Sequence, residues 1–242
     1  LRTYVPFHVR IAKNGLAIRT WNGTYVRRRY SVRSLKGISM RKENQTNQNH
    51  LTAEFSERLR LSGMPTRYLN EHHFDNRAAA YRDALIASFD GHTYHGGWLI
   101  LAGNAGTGKT STACCILRDA LAHRLGRFIT AAGYLSTLKE NMGANGAREL
   151  QSMMRNTSLL VLDDYGKEKE TEWGCEKLFD ILDFRYANRK PTIITTNYSL
   201  AELYRKIERG TDAETAGAFS SRISARGNTF LRFDGKDMRR SV

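Results

Sequence analysis

The chain has 242 residues and a formal net charge of +14, which fit a folded domain with a substantial core and a polyanionic partner such as DNA, RNA or an acidic membrane face. Its three cysteines, Cys114, Cys115 and Cys175, lack the spacing of a zinc site or a disulfide framework, so they fit a reducing cytoplasm. No apolar run approaches the roughly 20 residues of a membrane helix, and no apolar stretch follows the Arg-rich start as in a signal peptide, so we expect a soluble, cytoplasmic protein. Among the polyanions we expect a nucleic acid and no membrane partner.

The positive charge is concentrated in the first fifty residues. They contain eleven Lys or Arg and one acidic residue, Glu43, which gives a net charge of +10. Residues 1–40 show no sustained helical or alternating period, and residues 41–50 are polar enough to be a linker. We therefore expect 1–50 to be a basic, poorly ordered N-terminal extension and linker. Because the chain opens on a leucine and Met40 begins a stretch that continues smoothly, residues 1–39 are a candidate alternative-start extension.

Helical and strand patterns alternate through residues 51–242, which we expect to form one domain. Helical patterns cover 54–61, 76–89, 110–125, 134–142, 147–154 and 172–186, and Gly126 is the expected terminator of the third. Strand patterns cover 99–102, 127–132, 159–162 and 192–195. Strands that alternate with helices predict a parallel sheet covered on both faces.

A glycine-rich loop joins the strand at 99–102 to the following helix and matches G-x-x-x-x-G-K-[ST]. The glycines allow successive backbone N–H groups to face phosphates, Lys109 can neutralise the outer phosphates, and the Thr110 hydroxyl can ligate Mg²⁺. A glycine turn that matches by chance is the alternative, but the strand–loop–helix context favours ATP and Mg²⁺. The predicted nucleotide-binding residues are Gly103, Asn104, Ala105, Gly106, Thr107, Gly108, Lys109, Thr110 and Ser111.

Two acidic residues, Asp163 and Asp164, follow the apolar strand at 159–162. The first carboxylate would hold Mg²⁺, together with Thr110, and the second would polarise the attacking water. Without the phosphate loop, a helix cap or a turn would explain such a pair equally well. Glu is usual at the second position of such ATPases. Asp164 is one methylene shorter, a difference that would affect the turnover rate and not the assignment of the site.

A polar residue, Asn197, closes the stretch 192–197, which begins with a strand pattern. Its position suits the role called sensor 1, in which a side chain at a strand end orients the hydrolytic water. The alternative is an asparagine turn into Tyr198 and Ser199.

These motifs together resemble those of the DnaC-type helicase loaders and the IstB-like ATP-binding proteins, within the AAA+ class. The similarity covers about residues 51–242 and includes the stretches Ser62–Tyr68, Phe74–Asn76 and Asp183–Tyr186. It implies an α/β fold of the P-loop NTPase, RecA-like type, with helices on both faces of a parallel sheet and no separate C-terminal lid domain. The Gly-Met-Pro-x-Arg-Tyr stretch resembles the loaders more than the IstB-type transposition helpers.

Three arginines near the C-terminus acquire roles through the same resemblance. Arg222 corresponds to the arginine finger, which reaches the γ-phosphate of the neighbouring subunit's ATP, with Arg226 as the alternative. Arg239 corresponds to the sensor 2 arginine. A solvated surface arginine is the alternative for each. The predicted catalytic residues are Lys109, Asp163, Asp164, Asn197, Arg222 and Arg239.

The resemblance also implies a function and partners. It implies a DNA-stimulated ATPase that forms a homo-oligomer with ATP at protomer interfaces and delivers a DnaB-type replicative helicase to single-stranded DNA. Loaders contact the helicase through an N-terminal module, so residues 1–50 are a candidate for that module or for a nucleic-acid arm. Two alternatives stay open: an IstB-like transposition helper ATPase, and an ATP-binding scaffold with negligible hydrolysis.

Overall fold

The computed structural model describes residues 9–12, 15–19, 25–26, 52–91, 97–142, 145–169 and 171–238. The chain divides into two compact units, Leu1–Thr52 and Ala53–Val242. In the described part of the chain, no helix combines the length and the apolar composition needed to span a membrane.

The N-terminal unit contains a small antiparallel sheet in the order β1-β2-β3. Its strands are β1 (Val9–Ala12), β2 (Gly15–Arg19) and β3 (Tyr25–Val26). β1 pairs with β2 in antiparallel register, from Val9 opposite Ile18 to Ala12 opposite Gly15. The sequences of β1 and β2, Val-Arg-Ile-Ala and Gly-Leu-Ala-Ile-Arg, do not keep a strict apolar–polar alternation, so the sequence pattern did not predict them. The rest of 1–50 lies outside the described residues, and its poor order stays a prediction.

The larger unit is built on a five-stranded sheet in the order β5-β6-β7-β4-β8, and its strands are parallel. The strands are β4 (Leu99–Gly103), β5 (Gly126–Thr130), β6 (Leu159–Tyr165), β7 (Thr192–Thr196) and β8 (Thr229–Phe233). The central strands are nearly continuous apolar runs, because both faces of the sheet are buried. The predicted parallel α/β sheet is confirmed.

Helices cover both faces of this sheet. They are α1 (52–61), α2 (Ala79–Phe89), α3 (Lys109–Leu121), α4 (Ala131–Glu140), α5 (Asn145–Asn156), α6 (Glu172–Ala187), α7 (Leu200–Gly210) and α8 (Ala213–Ile223). Leu99 and Leu101 of β4 belong to one hydrophobic cluster, which includes residues of α2 and α3. Ile100 belongs to a second cluster, with residues of α4 to α8. This alternation follows from the two-residue period of a strand.

The predicted end of the helix after the glycine-rich loop is wrong. Helix α3 ends at Leu121, and Gly126 opens β5 instead of capping the helix. A Cβ atom on Gly126 would lie 2.4 Å from Leu117 Cδ1, so the glycine allows the first residue of β5 to pack against α3.

A buried guanidinium joins α6 to the segments that precede β6 and β7. Arg185 is fully buried. Its Nη1 donates to the backbone oxygens of Met154 at 2.9 Å and Thr157 at 3.0 Å, and its Nε donates to Thr192 Oγ1 at 2.9 Å. One side chain thus donates to several buried acceptors from different segments.

We expect Arg185→Met to lower the free energy of unfolding by at least about 3 kcal/mol, because each buried acceptor left without a donor costs about 1–3 kcal/mol. Urea unfolding measures this value. Arg205→Met, on the exposed surface of α7, is the control and should change stability by less than about 0.5 kcal/mol. Equal stabilities of the two variants would contradict the role of Arg185.

Candidate nucleotide-binding site

A cleft of about 420 Å³ lies where β4, β6 and β7 end, which is where ligands bind in open parallel sheets. Residues of the glycine-rich loop, both acids of β6 and the asparagine after β7 line it. The lining residues are Arg67, Tyr68, Glu71, His73, Ala105, Gly106, Thr107, Gly108, Lys109, Thr110, Ser111, Asp163, Asp164, Lys167, Asn197 and Met238. The structure therefore brings Lys109, Asp163, Asp164 and Asn197 to one place.

The glycines of the loop are required by its backbone. Gly103, Gly106 and Gly108 have φ values of 135°, 76° and 90°, in the region that favours glycine. A Cβ atom on Gly103 would lie 2.1 Å from the backbone oxygen of Phe233. The loop leads directly into α3, whose first N–H groups and helix dipole favour an anion at this end.

The Lys109 side chain turns back into the loop. Its Nζ donates to the backbone oxygens of Gly103 at 2.7 Å and Asn104 at 2.6 Å, and the side chain is buried. The ammonium group therefore adds a full positive charge beside the N-terminus of α3. This arrangement suits a polyphosphate.

Hydroxyl and carboxylate oxygens face each other beside the loop. Thr110 Oγ1 donates to Asp163 Oδ1 at 2.9 Å, and Thr195 Oγ1 donates to the same oxygen at 2.6 Å. Burial raises the pKa of Asp163 above its ordinary value, although both hydroxyls favour the charged form. Hydroxyl and carboxylate oxygens are the ligand atoms that Mg²⁺ prefers, and a bound Mg²⁺ would also offset the cost of burying the carboxylate.

Asp164 has a strained backbone and an exposed partner. Its φ of 55° lies in the left-handed region, which residues other than glycine seldom adopt. Its Oδ2 lies 2.7 Å from Lys167 Nζ, at the mouth of the cleft. Strain of this kind persists where the surrounding structure imposes it, which is common at functional sites.

Asn197 follows the last residue of β7 and lines the cleft with Lys167. Its position is compatible with the sensor 1 role, which stays a prediction.

Of the two predicted site arginines near the C-terminus, the structure describes Arg222 but not Arg239. Arg222 does not line the cleft: its Nε donates to Asp183 Oδ1 at 2.6 Å, and its guanidinium lies over the Phe179 ring at 5.0 Å. Arg239 lies outside the described residues. The preceding Met238 does line the cleft, and its backbone N–H donates to Gly106 O at 3.0 Å.

One wall of the cleft, formed by residues between 67 and 73, was not among the predicted site residues. Glu71 Oε2 accepts a hydrogen bond from Ser111 Oγ at 3.0 Å, and the Glu71 backbone oxygen accepts from Arg118 Nη1 at 2.7 Å. These bonds hold the segment with Tyr68 and His73 against the first turns of α3. The Gly-Met-Pro-x-Arg-Tyr stretch was the available signal, but it pointed to a family and not to a wall of the site.

Comparison with known proteins agrees with this geometry. The family model described as IstB-like ATP binding protein matches residues 27–241. The replicative helicase loader DnaC of Escherichia coli strain K12 is 30% identical over 124 residues, which cover 50% of this chain and 46% of that protein. An insertion sequence ATP-binding protein of Sinorhizobium fredii is 27% identical over 146 residues, or 58% of this chain and 55% of that one. The chain thus spans about half the length of these relatives.

A solved structure of the DnaC helicase loader is 26% identical, with a TM-score of 0.54, and the alignment covers 70% of this chain and 100% of that one. The shared shape and the converging nucleotide motifs agree with a family match that extends over most of the sequence. The chain therefore belongs to the IstB-like ATP-binding proteins, a family of the AAA+ class.

Proposed function

We propose that the chain binds ATP with Mg²⁺ in this cleft and hydrolyses it to ADP and phosphate. The convergence of Lys109, Thr110, Asp163 and Asp164 at the ends of β4 and β6 carries the proposal. A cradle of backbone N–H groups could hold a triphosphate without either acid. A buried carboxylate bonded to the Thr110 hydroxyl is what a metal-dependent reaction would need in addition.

Each residue of the cleft would then have a separate task. The loop amides and Lys109 bind the phosphates, and Thr110 and Asp163 hold Mg²⁺, which when bound neutralises charge on the phosphate oxygens. Asp164 polarises the attacking water, and its ion pair with Lys167 must loosen for the carboxylate to accept a proton. Asn197 orients that water from the end of β7.

We further propose that this ATPase works as a homo-oligomer that delivers a DnaB-type replicative helicase to single-stranded DNA. The similarity to the DnaC loader in sequence and in shape supports it. The net charge of +10 in the first fifty residues suits contact with a polyanion. A transposition helper is the second candidate, favoured by the family match and by the Sinorhizobium fredii relative. A scaffold that binds ATP without turnover is the third.

Between the two arginine-finger candidates, we favour Arg226. The Arg222 guanidinium is bound to Asp183 and to the backbone oxygen of Ala218, so it supports the packing of α8 on α6. Arg226 lies exposed in the turn after α8, and no described residue pairs with its guanidinium. An exposed arginine can reach a neighbouring protomer without breaking an internal ion pair.

We expect Lys109→Ala to weaken ATP binding by about 10- to 100-fold, because it removes a hydrogen bond between charged groups. Calorimetric titration with ATP measures the affinity. Lys190→Ala, at the opposite end of β7, is the control and should bind like the parent. Parental affinity in a folded Lys109→Ala variant would refute the site.

We expect Arg226→Ala to bind ATP normally but to lower turnover by about 1,000-fold, as loss of an arginine finger does. Arg222→Ala should instead lower the thermal midpoint and retain turnover. Mixing Arg226→Ala with Lys109→Ala should restore part of the activity, because an intact loop in one protomer then meets an intact finger in another. Absence of recovery, with mixed oligomers present, would contradict action in trans.

Partner and DNA dependence would separate the three candidate functions. A loader should capture a purified DnaB-type helicase and hydrolyse ATP faster with single-stranded DNA, with a stimulation that falls steeply as salt rises. Capture of a transposase without the helicase would favour the transposition helper. ATP binding with no turnover, with or without DNA, would favour the scaffold.

A further inference from the structure

The strand that carries the two acids has an extra residue where it meets β7. The two strands pair in register on either side of the acids, but Asp163 and Asp164 together lie opposite the single residue Thr195. This is a β-bulge. Successive side chains of a regular strand point to opposite faces, whereas here both carboxylates line the same cleft.

A threonine hydroxyl fills the gap that the bulge leaves in the ladder. Thr195 is fully buried, and its Oγ1 lies 2.6 Å from Asp163 Oδ1 and 2.9 Å from the backbone nitrogen of Asp164. A backbone N–H can only donate, and an ionised carboxylate can only accept. The hydroxyl must therefore donate to Asp163 and accept from Asp164, so a single oxygen atom joins the two acids.

Both bonds act on groups that the proposed reaction uses. The first fixes the oxygen of Asp163 that also accepts from Thr110. The second satisfies a backbone N–H that has lost its regular partner, and it supports the left-handed backbone of Asp164. Neither task can be performed by an apolar side chain of the same shape.

We propose that Thr195 is a positioning residue. It fixes the carboxylate of Asp163, which would hold Mg²⁺, relative to the carboxylate of Asp164, which would polarise the attacking water. The proposal rests on the proposed function, since it concerns ATP and Mg²⁺ in the same cleft. Thr195 touches neither the nucleotide nor the metal in this role, and it acts through the two acids.

The next residue along β7 provides a matched control. Thr196 is also fully buried, and its Oγ1 donates to the Tyr165 backbone oxygen at 2.7 Å and accepts from the Tyr198 backbone nitrogen at 3.2 Å. Its hydroxyl thus makes bonds of the same kind, but to backbone atoms and to neither acid. Removing it should affect folding stability and not the use of Mg²⁺.

The test compares Thr195→Val, Thr195→Ser and Thr196→Val with the parent. Affinity for a non-hydrolysable ATP analogue is measured across a Mg²⁺ titration and in EDTA, and thermal unfolding is followed in parallel. We expect Thr195→Val to raise the Mg²⁺ concentration for half-maximal binding by about 10- to 100-fold, the range for loss of a group that orients a metal ligand. Its affinity in EDTA should stay parental. Thr195→Ser should restore the Mg²⁺ response, and Thr196→Val should change only the thermal midpoint.

Any one of three results would contradict the proposal and leave Thr195 with a packing role alone. These are a parental Mg²⁺ response in Thr195→Val, an equal impairment in Thr196→Val, and a failure of Thr195→Ser to restore the response. Thr195→Ala, which adds no volume, replaces the valine variant should the latter fail to fold. If the parent protein itself did not bind the analogue, the proposed function would be wrong, whereas the hydrogen bonds of Thr195 to the two acids would stand.

Discussion

One carboxylate oxygen, Oδ1 of Asp163, accepts hydrogen bonds from a hydroxyl group on α3 and from another on β7. Because Asp163 lies on β6, this atom connects the helix of the phosphate loop to two neighbouring strands of the sheet. Burial opposes the charge on that oxygen, as the raised pKa of Asp163 indicates, and the two donors oppose that effect. The environment of this carboxylate therefore favours a nearby cation, and the bulge beside it places the second acid in the same cleft.

The parts of the fold that were predictable are those in which local sequence decides structure. Apolar runs such as Leu159–Leu162 identify buried strands, and the glycine spacing of the loop identifies a strand-to-helix turn. The end of α3 was not predictable from Gly126, because the contact that demands a glycine there comes from packing against Leu117. Helices α7 and α8 lie in a region where no element was predicted, although Ser199 and Glu202 form a capping box at the start of α7.

The same distinction applies to the site. Lys109, Thr110 and the acidic pair belong to short motifs, so their chemistry could be inferred from neighbours in sequence. Thr195 and Glu71 could not be found in that way, because their partners lie on other elements, 32 residues away for Thr195 and Asp163, and 40 for Glu71 and Ser111. Similarity to a family likewise could not reveal that Asp183 already binds the guanidinium of Arg222.

The strand order has a further consequence for how such a protein could move. β4, which carries the phosphate loop, is hydrogen-bonded to β7 on one edge and to β8 on the other. A strand that is hydrogen-bonded along both edges resists displacement, so β4 would give a nucleotide at the loop a rigid support. The facing segment 69–75 belongs to no strand, but the Glu71 bonds to Ser111 and Arg118 tie it to α3, so we expect this wall to stay with the loop as one rigid body.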